Sequence, residues 1–150
     1  MVQLVRGNLL DLQHGIICHG VNRQRVMGSG VALAILKRYP LVRETYMNTH
    51  PMPDLGQSHG IEVCYNLWIV NCYTQEFYGR DSNVVYASID AIRESITRVA
   101  SIAISNLGLS TIHMPFIGCG LGGLNYDADV KLVLEDIESD TGINIIINYI

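Results

Sequence analysis

Met114-Pro115-Phe116-Ile117-Gly118-Cys119-Gly120-Leu121-Gly122-Gly123-Leu124 runs an apolar strand pattern straight into a glycine loop. Asn125 follows as a helix cap, ahead of Val130, Val133, Leu134 and Ile137 at helical spacing. A second glycine loop, Met27-Gly28-Ser29-Gly30-Val31-Ala32, repeats that order nearer the N-terminus. A glycine turn that opens a helix presents free backbone N–H groups and the positive end of the helix dipole, and phosphate is the usual anion there. Glycine carries no Cβ to hold a phosphate off the backbone. Two such loops can clamp a diphosphate from both sides.

Outward from the loops, strands alternate with helices. Val2 to Val5 and Gly15 to His19 read as strands. Ser29 caps a helix with Ala32, Leu33, Ile35, Leu36 and Tyr39 on its apolar face; Pro40 interrupts it, and a short helix follows from Leu41 to His50. Pro51 to Gly60 reads as a loop. Ile61 to Tyr65 and Leu67 to Tyr73 read as strands joined at Asn66, and Tyr78 to Asn83 as a polar loop. Ser88 to Leu107 has the apolar spacing of one helix face, Thr111 to Phe116 is a strand, and Ile143 to Tyr149 is an almost unbroken apolar strand. Such a strand is expected where both sheet faces are covered. The pattern predicts an α/β domain with a mixed central sheet and helices on both faces.

Composition narrows the classes. The chain has 150 residues, 49% apolar and 16% charged, which suits a single globular domain over residues 1–150. No apolar run is long enough to span a bilayer, so no membrane partner is expected, and Met1 to Arg6 lack signal-peptide architecture. Cys18, Cys64, Cys72 and Cys119 are widely spaced, which favours reduced thiols in a cytoplasm over zinc or disulfides. Neither a metal nor a cofactor is expected. A net charge of −4 with no Lys/Arg cluster argues against long nucleic acid as the primary ligand.

Gly118, Gly120 and Gly123 also match GxGxxG. A Rossmann motif opens its domain and needs further βαβ units after it. Here the residues after Gly123 suffice for one helix and one strand, so that reading fails.

The remaining pieces fit elsewhere. Val5-Arg6-Gly7-Asn8-Leu9-Leu10, His19-Gly20-Val21-Asn22, the first glycine loop with Lys37-Arg38-Tyr39-Pro40, the second glycine loop and the closing strand Ile145 to Ile150 occur in that order. Together they resemble the macrodomain family, three-layer α/β/α modules that bind ADP-ribose. The resemblance is greatest to the branch with ADP-ribose-1″-phosphate phosphatases and terminal ADP-ribose protein glycohydrolases. Asn71 to Asp81 resembles a bacterial and phage subgroup, which implies a host cytoplasm if the chain is phage-encoded.

The resemblance implies roles. Asn8 stands where many macrodomains have an Asp that accepts from the adenine amino group, and Leu9 would donate its backbone N–H nearby. Asn22 would bond the distal ribose. Gly28, Ser29 and Gly30 would hold one phosphate. Gly118, Cys119, Gly120, Leu121 and Gly122 would wrap the diphosphate and distal ribose. Tyr149 would pack against adenine or fill the end of the core.

The family's lysine-dependent hydrolases carry a Lys on the strand before the long helix and an acid in the second glycine loop. Gln75 and Gly122 occupy those places, and neither can form an adduct with an opened ribose or act as an acid. Gln75 can still position water in the site. Cleavage of a phosphate monoester instead needs a cation, an oriented water and a proton source. Arg80 is the expected cation, His19 the acid–base group, and Asp81 the residue that orients water or His19. His14, His50, His59 and His113 read as surface or structural. Three functions remain open: hydrolysis of ADP-ribose-1″-phosphate, non-catalytic reading of ADP-ribose free or on macromolecules, and ADP-ribosyl hydrolysis by a substrate-assisted water.

Overall fold

The computed structural model describes residues 1–150. Its strands are β1 (Gln3–Arg6), β2 (Gly15–Asn22), β3 (Ser58–Cys64), β4 (Leu67–Gln75), β5 (Thr111–Met114) and β6 (Asn144–Tyr149). Its helices are α1 (Gly30–Arg38), α2 (Pro40–Asn48), α3 (Ile89–Ile102) and α4 (Lys131–Thr141). One sheet holds all six strands in the order β1-β6-β5-β2-β4-β3. Only β3 runs antiparallel to its neighbour.

Side-chain alternation sorts the core into two layers. On one face Ile16, Cys18, Val70, Cys72, Ile112, Met114, Ile145 and Ile147 meet α3 and α4 through Ile92, Ile96, Val99, Val133, Leu134 and Ile137. On the other, Ile17, Val21, Ile61, Ile69 and Tyr73 meet Ile35 of α1 and Val42 and Tyr46 of α2. Each large apolar side chain buried this way contributes about 1.5–3 kcal/mol. No helix is long and apolar enough to cross a membrane.

The helix boundaries have local causes. Pro40 does not merely end α1; it takes the first position of α2, where its missing N–H is no loss. The side chain of Ser29 makes no cap bond, unlike Ser88, whose Oγ accepts from Ala91 N–H at 3.1 Å. Asn125 caps as expected, accepting from Ala128 N–H at 2.9 Å, but the first turn after it is π-helical over Tyr126–Val130. A π-helical turn, Ala103–Leu107, also extends α3 before Gly108 ends it at φ 65°.

Two strand expectations need correction. β2 continues past His19 to Asn22 because β4 keeps pairing with it as far as Gln75. β6 is not covered equally on both faces. Ile145 and Ile147 are fully buried against the α3–α4 layer, while Asn144, Ile146 and Asn148 alternate with them toward a more open face. The α1–α2 layer sits over β2, β4 and β3, and edge strand β1 is exposed along its whole length.

Tyr46 joins the second layer to the end of β2. Its hydroxyl donates to the Asn22 carbonyl at 2.5 Å and lies 2.9 Å from Asn22 Oδ1. Tyr46→Phe keeps the ring and removes this bond, so it should lower stability by about 1–2 kcal/mol. Urea unfolding should show a lower midpoint at an unchanged m-value.

Candidate functional site

Parallel strands β2, β4, β5 and β6 all end at one edge of the sheet, and a cleft of about 640 Å³ opens there. This is where open α/β sheets place their ligands. Val26 to Ala32 form one wall and Gly118, Gly120, Leu121 and Gly122 the wall opposite. Gly20 to Asn22, Thr74, Gln75, Phe116 and Asn148 lie between them, and Tyr78, Gly79 and Arg80 close a third side.

The first wall is shaped by Asn22. Its Oδ1 accepts from Gln24 N–H at 2.9 Å and Val26 N–H at 3.3 Å, and its Nδ2 donates to the Val26 carbonyl at 2.8 Å. The side chain expected to meet a ribose is therefore the organiser of the turn that leads into Met27-Gly28-Ser29. The N–H groups of Gly28 and Ser29 donate to no backbone carbonyl. Those that open α1 have no partner within the helix. Gly30 starts that helix at φ +60°, and a Cβ there would meet nothing within 4 Å.

The second wall folds on itself. Leu124 N–H donates to the Gly118 carbonyl at 3.0 Å and Gly123 N–H to that of Gly120 at 3.1 Å. The Gly122 carbonyl accepts from both Tyr86 and Ala87 N–H, at 2.9 and 3.0 Å. A Cβ on Gly122 would stand 2.6 Å from the Gly118 carbonyl oxygen, whereas one on Gly120 would meet nothing within 4 Å. Gly122 is thus required by the loop, and Gly120 borders open space. The N–H groups of Gly120, Leu121 and Gly122 donate to no backbone carbonyl. The cleft accordingly has unpaired N–H groups on both walls.

Its side chains are sparsely charged. Arg80 is the one cation in the walls and forms no ion pair or side-chain hydrogen bond. No carboxylate lines the cleft. Nearby Glu76 is held by Arg23 at 2.7 and 3.0 Å. Gln75 lines the cleft with its Nε2 committed to the Phe77 carbonyl at 2.7 Å, leaving Oε1 free to accept. No three His, Cys, Asp or Glu side chains gather in a group able to hold a metal ion.

Several expected residues stand elsewhere. Asp81 is outside the walls; its Oδ1 accepts from Asn83 N–H at 2.9 Å, so it caps its own turn, and no bond joins it to His19. Asn8 is exposed and caps the 3-10 turn Leu9–Asp11, with Oδ1 accepting from Leu10 N–H at 2.9 Å. Leu9 packs into the second core layer. Cys119 points its thiol at the Ile117 carbonyl, and burial with Asp129 nearby raises its pKa to about 11. Tyr149 sits behind Phe116, ring centroids 6.1 Å apart, and does not line the cleft. Phe116, Tyr78 and Asn148 do line it and were not expected. Asn148 had one signal, a polar residue directly after the apolar run Ile145 to Ile147; it pairs with His113 at 3.1 Å.

His19 reaches the cleft floor only from below, at 1% exposure. Its Nε2 donates to Asn71 Oδ1 at 2.6 Å, and Nδ1 has no partner. Burial lowers its pKa to about 4, against a smaller raising effect of the Asn71 bond. The expected near-neutral acid is thus a neutral imidazole at pH 7, because no carboxylate faces it to stabilise the charged form.

No family model matches the chain. Its backbone matches the macrodomain of Mycobacterium tuberculosis DarG with a TM-score of 0.80 at 24% identity, over 99% of this chain and 97% of that one. The chain has the macrodomain fold. Thermosipho africanus DarTG, solved in complex with ADP-ribose, matches the chain with a TM-score of 0.79 at 18% identity, over 97% of this chain and 41% of that one. Among curated proteins, a DNA ADP-ribosyl glycohydrolase of Thermus aquaticus is 24% identical over 150 residues, covering 97% of the chain. The chain spans about 40% of that relative's length. An uncharacterized 17.5 kDa protein of Enterobacteria phage T4 is 27% identical over 135 residues, covering 85% of this chain and 84% of that one.

The His19 shift has a sign that can be checked. Unfolded, His19 binds its proton below about pH 6.5; folded, only below about pH 4. The unfolded state holds the extra proton in between, so stability falls as pH drops from 6.5 toward 4, by at most about 3 kcal/mol. Above pH 6.5 the contribution is constant. Unfolding free energies of wild type and His19→Gln, compared at pH 7 and 4.5, should show a smaller acid loss in the variant.

Proposed function

We propose that this cleft binds ADP-ribose and that the chain hydrolyses ADP-ribose-1″-phosphate to ADP-ribose and phosphate. The observation that carries the reading is the pair of N–H-lined walls around one cleft, with Gly28 and Ser29 on one side and Gly120 to Gly122 on the other. A diphosphate satisfies both rows without needing a basic patch, which suits a chain of net charge −4. The likeness to an ADP-ribose complex and to a DNA ADP-ribosyl glycohydrolase supports the ligand class.

Arg80 supports the phosphate ester as substrate. Its guanidinium is free, and its planar fork matches two phosphate oxygens. Gln75, in place of a lysine, can hold a water through Oε1 but cannot become a covalent nucleophile. A second reading, a reader of ADP-ribose without turnover, draws on the carboxylate-free walls.

Calorimetry and phosphate release separate these readings. Gly120→Val places a side chain in the open space where a phosphate would approach, and should weaken ADP-ribose binding at least about 10-fold, roughly 1.4 kcal/mol. Unchanged affinity in the folded variant would remove this loop from the site. Arg80→Ala should lower kcat for ADP-ribose-1″-phosphate by about 10- to 100-fold, as expected for a charge-assisted contact of roughly 1.5–3 kcal/mol, with a smaller effect on ADP-ribose affinity. Tight ADP-ribose binding with no phosphate release by wild type would favour the reader.

A further inference from the structure

Sheet order lays the cleft out along a line. The strand ends beneath it follow one another as β6, β5, β2 and β4, and the loops that leave β5 and β2 carry the two N–H walls in the middle. A diphosphate between the walls leaves two different ends. Gln75, Tyr78 and Arg80 stand at the β4 end, and Phe116 and Asn148 at the β6 end. An aromatic ring beside an amide suits a flat heterocycle, which stacks on the ring and bonds the amide through its edge.

The amide at that end is turned. Asn148 lines the cleft and His113 does not, and Asn148 Oδ1 lies 3.1 Å from His113 Nδ1. A carbonyl oxygen only accepts, so the imidazole donates from Nδ1. Oδ1 thus faces His113, and Nδ2, at the other corner of the planar amide, is left for the cleft. Nδ2 only donates. Asn8 is turned in the same sense. Gly7 N–H donates to the Tyr149 carbonyl at 2.7 Å, which sets Asn8 beside the end of β6, and Asn8 Oδ1 accepts from Leu10 N–H at 2.9 Å. An asparagine reads adenine by accepting from the 6-amino group while donating to N7. At both asparagines the accepting half is engaged within the chain.

Purines differ at this edge. Adenine sets an amino donor beside N7, whereas a 6-oxopurine sets a carbonyl acceptor there. A donor directed at the 6-position meets a like group in the first and a partner in the second. Resting on the ADP-ribose reading above, we infer that the β6 end of the cleft prefers a 6-oxopurine to adenine, with Asn148 the specificity-determining residue and His113 the positioning residue that turns its amide. The ligand class is a diphosphate ribose whose base is hypoxanthine or a related 6-oxopurine.

The test is calorimetry with ADP-ribose and with inosine diphosphate ribose, which differ only in the base. The inosine ligand is expected to bind at least about 3-fold more tightly, as one neutral hydrogen bond allows. Asn148→Asp offers acceptors alone and should reverse the order. His113→Ala lets the amide turn and should remove the difference. Wild type that binds both ligands equally, or ADP-ribose more tightly, would overturn the inference and leave the ADP-ribose reading standing; that comparison needs no variant. An order kept by folded Asn148→Asp, or a preference undiminished in His113→Ala, would overturn the roles given to these residues. Binding of neither ligand by wild type would overturn both readings.

Discussion

Parallel pairing of β2 with both β4 and β5 sets the geometry on which the cleft depends. Parallel strands point their carboxyl ends the same way, so the segments that leave them converge. Asn22, Gln75 and the Pro115–Gly118 run therefore reach one place although far apart in sequence. The two core layers fix that alignment, because a one-residue slip of β2 would exchange Ile16 and Cys18 with Ile17 and His19 across the sheet. The cleft thus owes its shape to the packing of ordinary aliphatic side chains below it.

His19 and Asn71 mark the point where that packing is least comfortable. Both are buried on adjacent strands; they bond each other, yet His19 Nδ1 and Asn71 Nδ2 remain without partners. A half-satisfied buried pair costs stability relative to apolar neighbours. It lies directly under the cleft, where buried polar groups most often accompany a site.

The legible parts of the sequence were those with local causes. Asn125 announced its helix because its side chain accepts from an N–H three residues on, whereas Ser29, read as a cap in the same way, makes no such bond. The glycine loops announced themselves by composition. Arg80 was legible as a cation in a polar loop, and the structure puts it in the cleft wall. His19 was misread because burial under the strands and helices around it lowers its pKa to about 4, while the bond to Asn71 on another strand offsets only part of that. The bond from the Asn83 N–H to Asp81 Oδ1, two residues away, is a local turn contact that the sequence reading did not foresee. Asn148 was hidden because only the uneven coverage of β6 separates its open face from its buried one, and Phe116 because it continues the apolar run of β5 into the loop.

The two walls differ in how firmly they are held. Around Gly118–Leu124, backbone bonds within the loop and from Tyr86 and Ala87 leave little freedom. Met27, Gly28 and Ser29 donate no backbone bond of their own, beyond a turn fastened at Asn22 and Val26. A ligand entering the cleft meets one jaw already set and one that it must set itself. The ordering entropy of binding, about 1–2 kcal/mol for each backbone residue fixed, falls on the first jaw.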